Sequence, residues 1–576
     1  MNYRAWQLKN ADTAGESALL AAGYGPLLAR VLACRGIAQP QAAAALLEEE
    51  PPLSDPFLLK DMDKAVARIQ QAIENGETIV IFGDYDVDGV SATAILYECL
   101  TNLGAQVRCK LPTREGGGYG LNRETLQKLA DKGYKLIVTV DNGISAIEEA
   151  DLAAELGIEL VITDHHLPGD EIPDTLVVNP NQRGDTFPSK SLAGVGVIFY
   201  VLIAVRSALR AKGAYPNGKQ PNLQHLIDLV ALGTVADVVP LDRNNRILVS
   251  KGLDSIRAGK MQPGVSALLS VAGKNAHRIS ANDLGYILGP RINAAGRLDS
   301  INKGVECLTS YDYNTALFYA KELDQINAER RNREVSMQSD AILSLQTISV
   351  DDSNSIVLKG DDWHAGIIGL VASRIKEQTY RPVIAFAPSE ENGEHVLKGS
   401  GRSIPGIHLR DALDRVSKLS PGLILKFGGH AMAAGLTIRK DAFDEFKELF
   451  ARAVKELSDP EMFERNIVTD GELRASDFNI ELVEAIRKHV WGQAFPEPLF
   501  ANQFKVLSQR VLKDQHLKLS LEVDGREIQA IWFRHKRELP PTVRLAYKLD
   551  INDFRGRQSV QLIIEGMEDE FEDWTA

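Results

Sequence analysis

The sequence predicts an α/β protein in which a domain with a parallel β-sheet is joined by a long helix to a smaller α/β domain, and a small β-barrel follows. Three observations support this prediction. From Thr78 onward, β-branched apolar runs alternate with helical patterns, which is typical of βαβ units. A charged stretch with apolar residues at helical spacing covers 311–347. Short β-like runs separated by polar turns fill the C-terminal region.

The length of the chain allows several domains. With 576 residues, of which 44% are hydrophobic, the chain can bury more than one core. The predicted parts are a helical lead-in at 1–55, the parallel-sheet domain at 56–310, the connector helix at 311–347, the second α/β domain at 348–457 and the barrel at 465–576.

Charge and cysteine content argue against several classes of protein. The net charge is −13, which argues against a generally adhesive nucleic-acid binder but leaves local basic surfaces open. The four cysteines have no CxxC spacing, so neither a zinc ribbon nor a disulfide framework is indicated. The first residues lack an apolar signal core, and the longest apolar run, 192–205, is too short to span a bilayer. We therefore expect a soluble, cytoplasmic protein with no membrane contact.

The main domain shows a regular alternation of elements. Strands are predicted at 78–83, 106–111, 135–140 and 158–163, with helices at 90–103, 122–132 and 144–156 between them. Strands that alternate with helices at this spacing predict a parallel sheet.

The first of these strands ends in three acids at alternate positions, Asp84, Asp86 and Asp88. Alternate residues of an extended segment point the same way, so these carboxylates repel one another unless a divalent cation neutralises them. Two other interpretations stay open, a solvated turn and an EF-hand loop. The EF-hand requires an acid at its twelfth position, where this sequence has Ile95, and a helix before the loop.

Other strands of the domain also end in acids. Asp141 and Asp164 follow the next two long strands, and Asp237 follows a later apolar run. In open parallel sheets the ligand lies beyond the carboxyl ends of the strands, so these acids should meet in one crevice. His165 and His166 directly follow Asp164. Carboxylates with imidazole and no thiolate suit Mn²⁺ or Mg²⁺ better than structural Zn²⁺.

Four of these stretches resemble the motifs of the DHH phosphoesterase family. They are GDYDVDG at 83–89, VDNGIS at 140–145, TDHH at 163–166 and GTVADVVPL at 233–241. Three further stretches are similar to those of the exonuclease branch of that family: GPRINAAGR at 289–297, GSGRS at 399–403 and GGHAMAAG at 428–435. Seven motifs in collinear order are far more specific than any one of them.

The resemblance implies a hydrolase that uses two metal ions, Mn²⁺ or Mg²⁺. It implies that Asp141 bridges the ions, that Asp84 and Asp86 bind the first ion, and that Asp88, His165 and Asp237 bind the second. It further implies that His166 faces the scissile phosphate and that Asp164 orients the histidines.

One position departs from the family pattern. Many relatives carry a histidine two residues before the first acid of the first motif, where this sequence has Phe82. Asp84 would take over that coordination, and the departure puts the occupancy of the first metal in doubt.

The resemblance also implies residues that bind the nucleic acid. Arg114, beside a glycine run, would contact a phosphate, although a surface loop is the alternative. Arg291 would contact the backbone of the nucleic acid, and Arg297 is a weaker candidate. Ser400 and Arg402 lie in a predicted Gly and Ser loop that resembles an anion nest for the 5′ end. His430 is predicted to assist in binding, with a tight helix entry as the alternative.

Two segments carry little chemistry of their own. The connector at 311–347 is predicted to be a solvent-exposed bridge between domains. The barrel is predicted to be of OB type, a fold that often binds single strands with aromatic and basic groups. Its densest candidate patch is 532–537, although an aromatic residue in a barrel strand is more often part of the core.

The predicted function is a metal-dependent 5′-to-3′ exonuclease that hydrolyses single-stranded DNA to 5′-mononucleotides in recombination and repair. The polarity and the substrate rest on the resemblance alone, which also implies a single-stranded-DNA-binding protein and a repair helicase as partners of a monomeric enzyme. Two alternatives stay open: a phosphodiesterase for short oligonucleotides or cyclic dinucleotides, and an inactive single-strand-binding protein.

Overall fold

The computed structural model describes residues 2–3, 5–9, 12–47, 52–112, 120–214, 220–345, 353–391, 393–513, 515–554 and 557–568. The chain divides into two compact units. We name the units by their position in the sequence: the central unit contains 44–329 and 487–497, and the outer unit contains 1–43, 330–486 and 498–576.

The N-terminal segment begins with two short strands and continues as helices. The elements are β1 (Asn2–Tyr3), β2 (Ala5–Leu8), α1 (Thr13–Ala21), α2 (Pro26–Ala33) and α3 (Pro40–Leu47). The predicted helices are present, but the two strands were not predicted. Both strands pair in parallel with residues far along the chain, β1 with 567–568 and β2 with 466–469.

The central unit starts with the predicted alternation of helices and strands. Its first elements are α4 (Met62–Asn75), β3 (Thr78–Phe82), α5 (Val87–Asn102), β4 (Gln106–Lys110), α6 (Arg123–Asp131), β5 (Leu136–Val140), α7 (Ile147–Glu155), β6 (Glu159–Thr163) and β7 (Leu176–Val178). The strands form a parallel sheet in the order β4-β3-β5-β6-β7. Residues of β3 and β5 are buried on both faces, which explains why these strands are continuous apolar runs rather than alternating ones.

A helical layer follows the sheet. It consists of α8 (Gly194–Ala211), α9 (Ile227–Ala236), α10 (Arg243–Arg257), α11 (Pro263–Val271), α12 (Ala281–Asp283), α13 (Gly289–Leu298) and α14 (Asn302–Thr309), with a π-helical stretch at Leu284–Leu288. The first of these, α8, is long and apolar enough to cross a membrane, yet 67% of it is buried inside the fold, as in the core helix of a globular domain. It packs with α5 and α9 in the main hydrophobic core.

The predicted connector is a single helix, α15 (Tyr313–Leu345). The expectation of a solvent-exposed bridge is only partly right. In the central unit Ala316, Ala320 and Leu323 of this helix are fully buried. In the outer unit, Glu334 is 8% exposed and accepts hydrogen bonds from Arg330 and Arg374.

The outer unit contains a second sheet. Its elements are β8 (Ile356–Lys359), α16 (Ile368–Thr379), β9 (Val383–Glu391), β10 (Glu394–Arg402), α17 (Leu409–Leu419), β11 (Ile424–Gly429), β12 (Ala433–Arg439) and α18 (Phe443–Glu456). The strand order is β11-β12-β10-β9-β8, and only the β8–β9 pair is parallel. Phe386, Phe446 and Phe450 fill the core beneath it.

The C-terminal region forms the predicted five-stranded barrel. After β13 (Asn466–Thr469) and α19 (Ile480–Lys488) come β14 (Phe500–Leu512), β15 (His516–Val523), β16 (Arg526–Trp532), β17 (Thr542–Phe554) and β18 (Arg557–Glu568). The pairing β18-β16-β15-β14-β17 closes through β17–β18. Trp532 is 7% exposed and stacks on His535 at 3.8 Å between ring centroids, so it belongs to the core rather than to a binding surface.

Candidate metal centre

The predicted acids and histidines converge at the carboxyl edge of the central sheet. The ring of His165, just beyond β6, lies at the middle of the cluster. Its Nε2 is 3.0 Å from an oxygen of Asp141, 3.5 Å from Asp237 and 3.8 Å from Asp88. Residues separated by about 150 positions in the sequence therefore share one site, because the carboxyl ends of parallel strands meet at one edge.

The ligand atoms fall into groups that each have the size of a metal site. In the described part of the chain, their atoms lie within 4.8 Å of one another in three sets: Asp84, Asp86 and Asp141; Asp88, His165 and Asp237; and Asp141, His165 and His166. The first two sets match the assignment that the resemblance implied for two ions. Phe82 is 1% exposed and packs in the core with Val80 and Ile137, so it supplies no ligand.

Asp86 is held in place by the start of α5. Its Oδ1 accepts hydrogen bonds from the amides of Asp88 (2.9 Å) and Gly89 (3.1 Å), so it is the N-cap of the helix. Asn293 on α13 accepts a further hydrogen bond from the amide of Val87 at 3.1 Å. The stretch GPRINAAGR therefore supports the first acidic motif, a role that the sequence interpretation missed.

Asp141 projects from a strained turn. Its φ is 63°, in the left-handed region that Asp tolerates better than most residues. The next residue secures the turn. The side-chain amide of Asn142 donates to the carbonyls of Val140 (2.9 Å) and Phe82 (3.3 Å), and the main-chain carbonyl of Asn142 accepts from the Thr139 hydroxyl. This network ties the ends of β3 and β5 together beneath the metal ligands.

Asp164 organises the histidine pair through its own fixed position. Its Oδ2 accepts from the Ile144 amide at 2.9 Å, and its Oδ1 accepts from the amides of His165 and His166. The Nδ1 of His166 lies 2.7 Å from the same Oδ1. Asp164 is 1% exposed, whereas the side chain of His166 is 39% exposed. Asp164 therefore orients the ring of His166 directly, and it holds His165 through the backbone.

Two asparagines fix the loop that carries the histidines. The side chain of Asn179 donates to the carbonyl of His166 at 3.0 Å, and that of Asn181 donates to the carbonyl of His165 at 2.6 Å. Neither residue was identified from the sequence, since a loop asparagine carries no pattern that separates a supporting role from an ordinary turn.

The electrostatics of the cluster require positive charge. Burial raises the pKa of Asp88 and of Asp141 well above the ordinary range, and the neighbouring carboxylates raise it further. Burial, followed by the charge of Asp86, raises the pKa of Asp237 to about 7. Burial also lowers the pKa of His165 to about 4, which keeps its imidazole neutral and able to bind a metal.

The neighbouring pair has the opposite balance. Burial opposes ionisation of Asp164, but the hydrogen bond and charge of His166 outweigh it and lower its pKa. For His166, burial is outweighed by the hydrogen bond to Asp164 and the charges of nearby acids, which raise its pKa to about 9. Uncompensated acids thus face the centre of the site, and the histidine pair forms its rim.

Two glycines reserve space around the acids. A Cβ atom on Gly194 would lie 2.7 Å from Oδ1 of Asp141, and one on Gly233 would lie 2.9 Å from Oδ1 of Asp88. The amides of Gly194 and Val195, at the start of α8, donate to the two oxygens of Asp88 at 2.6 and 2.9 Å. An ionised carboxylate has about four lone-pair sites, so these bonds leave Asp88 able to bind a cation. The donor set, its burial and this reserved space all fit hard divalent ions.

The predicted nucleic-acid contacts of the central unit have different outcomes. Arg114 lies outside the described residues. Arg291 lies on α13 and is 9% exposed; it donates to the carbonyl of Ile287 at 2.6 Å and pairs with Asp324 at 3.0 Å. The structure therefore gives Arg291 a contact within the protein, and its role toward DNA stays a prediction.

The other predicted contacts lie in the outer unit. Ser400 and Arg402 belong to β10, so the prediction of a loop at GSGRS was wrong. The Arg402 guanidinium donates to the Ser400 hydroxyl (3.2 Å) and to the Gly401 carbonyl (2.7 Å). A Cβ on Gly369, in the first turn of α16, would lie 2.8 Å from the Ser400 hydroxyl and 2.9 Å from the guanidinium. Both side chains therefore lie at the N-terminus of a helix, where backbone amides favour an anion.

His430 lies in the turn between β11 and β12. The alternative of a helix entry at GGHAMAAG was wrong, because the stretch forms a hairpin. The His430 amide donates to the carbonyl of Ala433 at 2.8 Å, and its part in binding stays a prediction.

Comparison with known families agrees with the predicted order of domains. The DHH family N-terminal domain matches 78–234, the DHHA1 domain matches 352–456 and the RecJ OB domain matches 469–566. The OB type predicted for the barrel is thereby confirmed. The exact boundaries predicted for the five parts stay predictions.

Similar proteins cover almost the whole chain. The chain is 47% identical to the single-stranded-DNA-specific exonuclease RecJ of Dickeya dadantii over 94% of this chain and 95% of that protein. It is 44% identical to RecJ of Escherichia coli, with 96% and 97% covered. A crystal structure of RecJ in complex with Mn²⁺ from Thermus thermophilus superimposes with a TM-score of 0.82 at 30% identity, covering 99% of this chain and 80% of that one. Together with the cluster of acids and histidines at the sheet edge, these matches show that the chain belongs to the RecJ branch of the DHH family.

Proposed function

We propose that this protein is a metal-dependent exonuclease that hydrolyses single-stranded DNA from the 5′ end and releases 5′-mononucleotides, using two Mn²⁺ or Mg²⁺ ions. Its relatives in D. dadantii and E. coli are single-stranded-DNA-specific exonucleases, and the T. thermophilus relative has been crystallised with Mn²⁺ and with Mg²⁺. The polarity, the number of ions and a role in recombination and repair are the finer parts of the proposal.

The convergence of the acids and histidines at the sheet edge carries this proposal. Asp84, Asp86 and Asp141 would hold one ion. The second ion would be held by Asp88, His165 and Asp237. Asp141 belongs to both neighbourhoods, since its carboxylate also lies 3.0 Å from His165. Two bound ions supply an activated water and stabilise the charge that develops on the phosphate oxygens.

The remaining residues of the site position the substrate and the ligands. Asp164 fixes Nδ1 of His166, and the exposed part of the ring extends to the rim of the cluster. We assign His166 to the scissile phosphate, where an imidazolium supports the negative charge. The amides of α8 donate to both oxygens of Asp88, which fixes the orientation of this ligand before any cation binds.

The outer unit offers a site for the 5′ end. Arg402 is half-buried, and within the described part of the chain no carboxylate pairs with it. Burial lowers its pKa, yet a guanidinium stays charged in a protein. A cation at a helix N-terminus, with Ser400 beside it, needs an anion, and the 5′-phosphate of a single strand supplies one.

The other predicted partners have less support. The binding of single-stranded DNA follows from the proposed activity. Docking of a single-stranded-DNA-binding protein and of a repair helicase, the monomeric state and the cytoplasmic location stay predictions. A phosphodiesterase for cyclic dinucleotides is the alternative that an assay must separate from the main proposal.

A panel of substrates tests the proposal. The purified chain is incubated with Mn²⁺, with Mg²⁺ or with EDTA on single-stranded DNA labelled at either end, on blunt duplex DNA and on a cyclic dinucleotide. We expect release of mononucleotides from the single strand, beginning at the 5′ end and abolished by EDTA. Cleavage of the cyclic dinucleotide without cleavage of DNA would establish the alternative.

A further inference from the structure

Three exposed apolar side chains belong to segments that carry the candidate metal ligands or pack against them. Leu167 follows the histidine pair, Val238 follows Asp237, and Tyr286 lies in the π-helical stretch before α13. Their exposed fractions are 69%, 59% and 79%, and Tyr286 is the most exposed large hydrophobic residue in the described part of the chain. We call these three residues the apolar rim.

Val238 and Tyr286 are close neighbours through the end of α9. The amide of Val238 donates to the carbonyl of Val235 at 3.3 Å. A Cβ on Gly285, the residue before Tyr286, would lie 3.6 Å from that same carbonyl and 3.1 Å from the Val235 side chain. The π-helical stretch is therefore packed on the last turn of α9, which is followed directly by Asp237 and Val238.

Val238 combines a strained backbone with a side chain that is largely exposed. Its φ is 64°, a left-handed conformation in which a β-branched residue is an outlier. It follows the C-cap of α9, where glycine is the usual residue because it pays no steric cost. Valine accepts that cost although more than half of its side chain is in contact with solvent. The strain at Val238 is therefore not offset by burial of its side chain.

Tyr286 also lies on an unusual backbone. Single-turn π-helical stretches are rare and occur frequently at functional sites. Here the π-helix continues directly into α13, whose Asn293 supports the first acidic motif. Tyr286 therefore belongs to a segment that hydrogen-bonds to the first acidic motif, which suits a platform that must keep its position relative to the reacting phosphate.

We propose that the apolar rim binds the nucleoside next to the scissile phosphate, with Tyr286 stacking on its base and Val238 and Leu167 contacting its sugar. The proposal rests on the exonuclease function proposed above, because the phosphate at the metal centre brings a base and a sugar within reach. A base in a single strand can turn its face to a protein aromatic, and such stacking is worth about 1–3 kcal/mol. A paired base in a duplex is already stacked, so the apolar rim also contributes to the preference for single strands.

Strands that lack bases near the 5′ end provide the test. We compare kcat/KM with Mn²⁺ for an intact single strand and for the same strand with abasic analogues at its first two positions. Tyr286→Ala should lower kcat/KM on the intact strand about tenfold, within the range for one stacked base. It should cause no further loss on the abasic strand, because the partner of the ring is already missing. Tyr286→Phe should keep the wild-type values, since stacking needs the ring and not the hydroxyl.

A binding measurement without metal removes the dependence on catalysis. In EDTA, the anisotropy of a labelled intact strand should give a Kd about tenfold higher for Tyr286→Ala than for wild type, with no difference on the abasic strand. Val238→Gly should leave the melting temperature unchanged or raised, because strain is relieved, and should lower kcat/KM on intact and abasic strands alike, because the abasic analogue keeps the sugar that Val238 contacts. Tyr311→Ala is the matched control: Tyr311 is 69% exposed in the same unit and lies near Glu98, at the far end of α5 from the acidic motif.

The outcomes separate this inference from the proposed function. If wild type does not degrade the intact strand, the exonuclease proposal fails. If wild type degrades it and Tyr286→Ala behaves as Tyr311→Ala does, or loses equally on intact and abasic strands, the apolar rim does not bind a base and the inference is overturned.

Discussion

The metal centre of the central unit and the Ser400–Arg402 site of the outer unit both offer charged side chains to a ligand, but the charges are opposite. In the first, carboxylates gather where parallel strands end, and their pKa values are raised because they are buried together. In the second, a half-buried guanidinium lies on a strand of a largely antiparallel sheet, with a helix N-terminus beside it. Each site has a charge that only a ligand can balance, a cation in one case and an anion in the other.

The comparison also shows how glycine shapes both sites. Gly194 and Gly233 leave room beside Asp141 and Asp88, and Gly369 leaves room beside Ser400 and Arg402. In each case a Cβ would lie closer than 3.0 Å to a functional atom. Close approach of backbone to functional side chains is thus common to both sites, although their folds differ.

The largest effect is expected from the acid that both proposed ions share. Asp141→Asn keeps the shape of the side chain but removes its charge, so both ions lose a ligand. We expect kcat to fall about 10³-fold on every substrate, which corresponds to about 4 kcal/mol of lost stabilisation. The measurement is single-turnover hydrolysis of labelled single-stranded DNA. Asp151→Asn, on the exposed surface of α7, is the control and should behave as wild type. Wild-type turnover in Asp141→Asn would remove the two-ion assignment.

The second-largest effect is expected from filling the space that Gly194 leaves beside Asp141. Gly194→Ala places a methyl group against the Asp141 carboxylate. We expect Mn²⁺ affinity to fall about 10- to 100-fold, as for other changes that displace a ligand from its orientation. Isothermal titration with Mn²⁺ measures this directly, and the melting temperature shows whether the protein is folded. Gly196→Ala, two residues further along α8, serves as the control, because the nearest atoms to its added Cβ belong to the side chain of Leu192. Equal Mn²⁺ affinity in both variants would show that Gly194 does not protect the site.

The anion site should act on the end of the strand and leave the metal centre intact. Arg402→Ala should reduce the preference for 5′-phosphorylated over 5′-hydroxyl strands about tenfold, within the range for a hydrogen bond to a charged group. The measurement is the ratio of kcat/KM for the two strands, with Mn²⁺ affinity determined in parallel. Arg439→Ala changes an exposed arginine of the neighbouring strand β12 and should leave the ratio unchanged. A fall in kcat/KM that is equal for both strands would argue against recognition of the 5′ end.

The two sites were not equally accessible to sequence reasoning, and the difference has a physical cause. In the central unit, strands buried on both faces read as apolar runs, and each is followed by an acid, so the sheet and the convergence of the acids at its edge were both predicted. That these acids bind metal ions stays a prediction. In the outer unit, GSGRS has little β propensity and was assigned to a loop. Its glycines are there for packing: a Cβ on Gly399 would lie 2.5 Å from Phe386, and one on Gly401 would lie 2.7 Å from Leu409.

Other features depend on contacts that no local pattern contains. The short strand β2 was missed because its partner, β13, lies more than 400 positions away in the sequence. The support that Asn293 gives to Val87 and the apolar rim around Asp237 likewise arise only when distant segments pack together. Sequence reasoning recovers the chemistry of a site when residue type and strand position coincide, and it misses the residues that act by proximity alone.

A buried acid outside the two sites is expected to affect stability and not activity, and it tests how burial acts in the absence of a ligand. Burial raises the pKa of Asp228 to about 7, although its carboxylate accepts hydrogen bonds from the amides of Leu229 and Gln262. Its folded pKa is above the ordinary value of about 4, so the folded state binds more protons than the unfolded state between these pH values and loses stability as pH rises through them. Asp228→Asn removes this dependence. We therefore expect the free energy of unfolding of the variant, relative to wild type, to rise by about 2–3 kcal/mol between pH 5 and pH 8, measured by urea unfolding in EDTA. A difference that does not change with pH would show that burial does not raise the pKa of the Asp228 carboxyl in the folded protein.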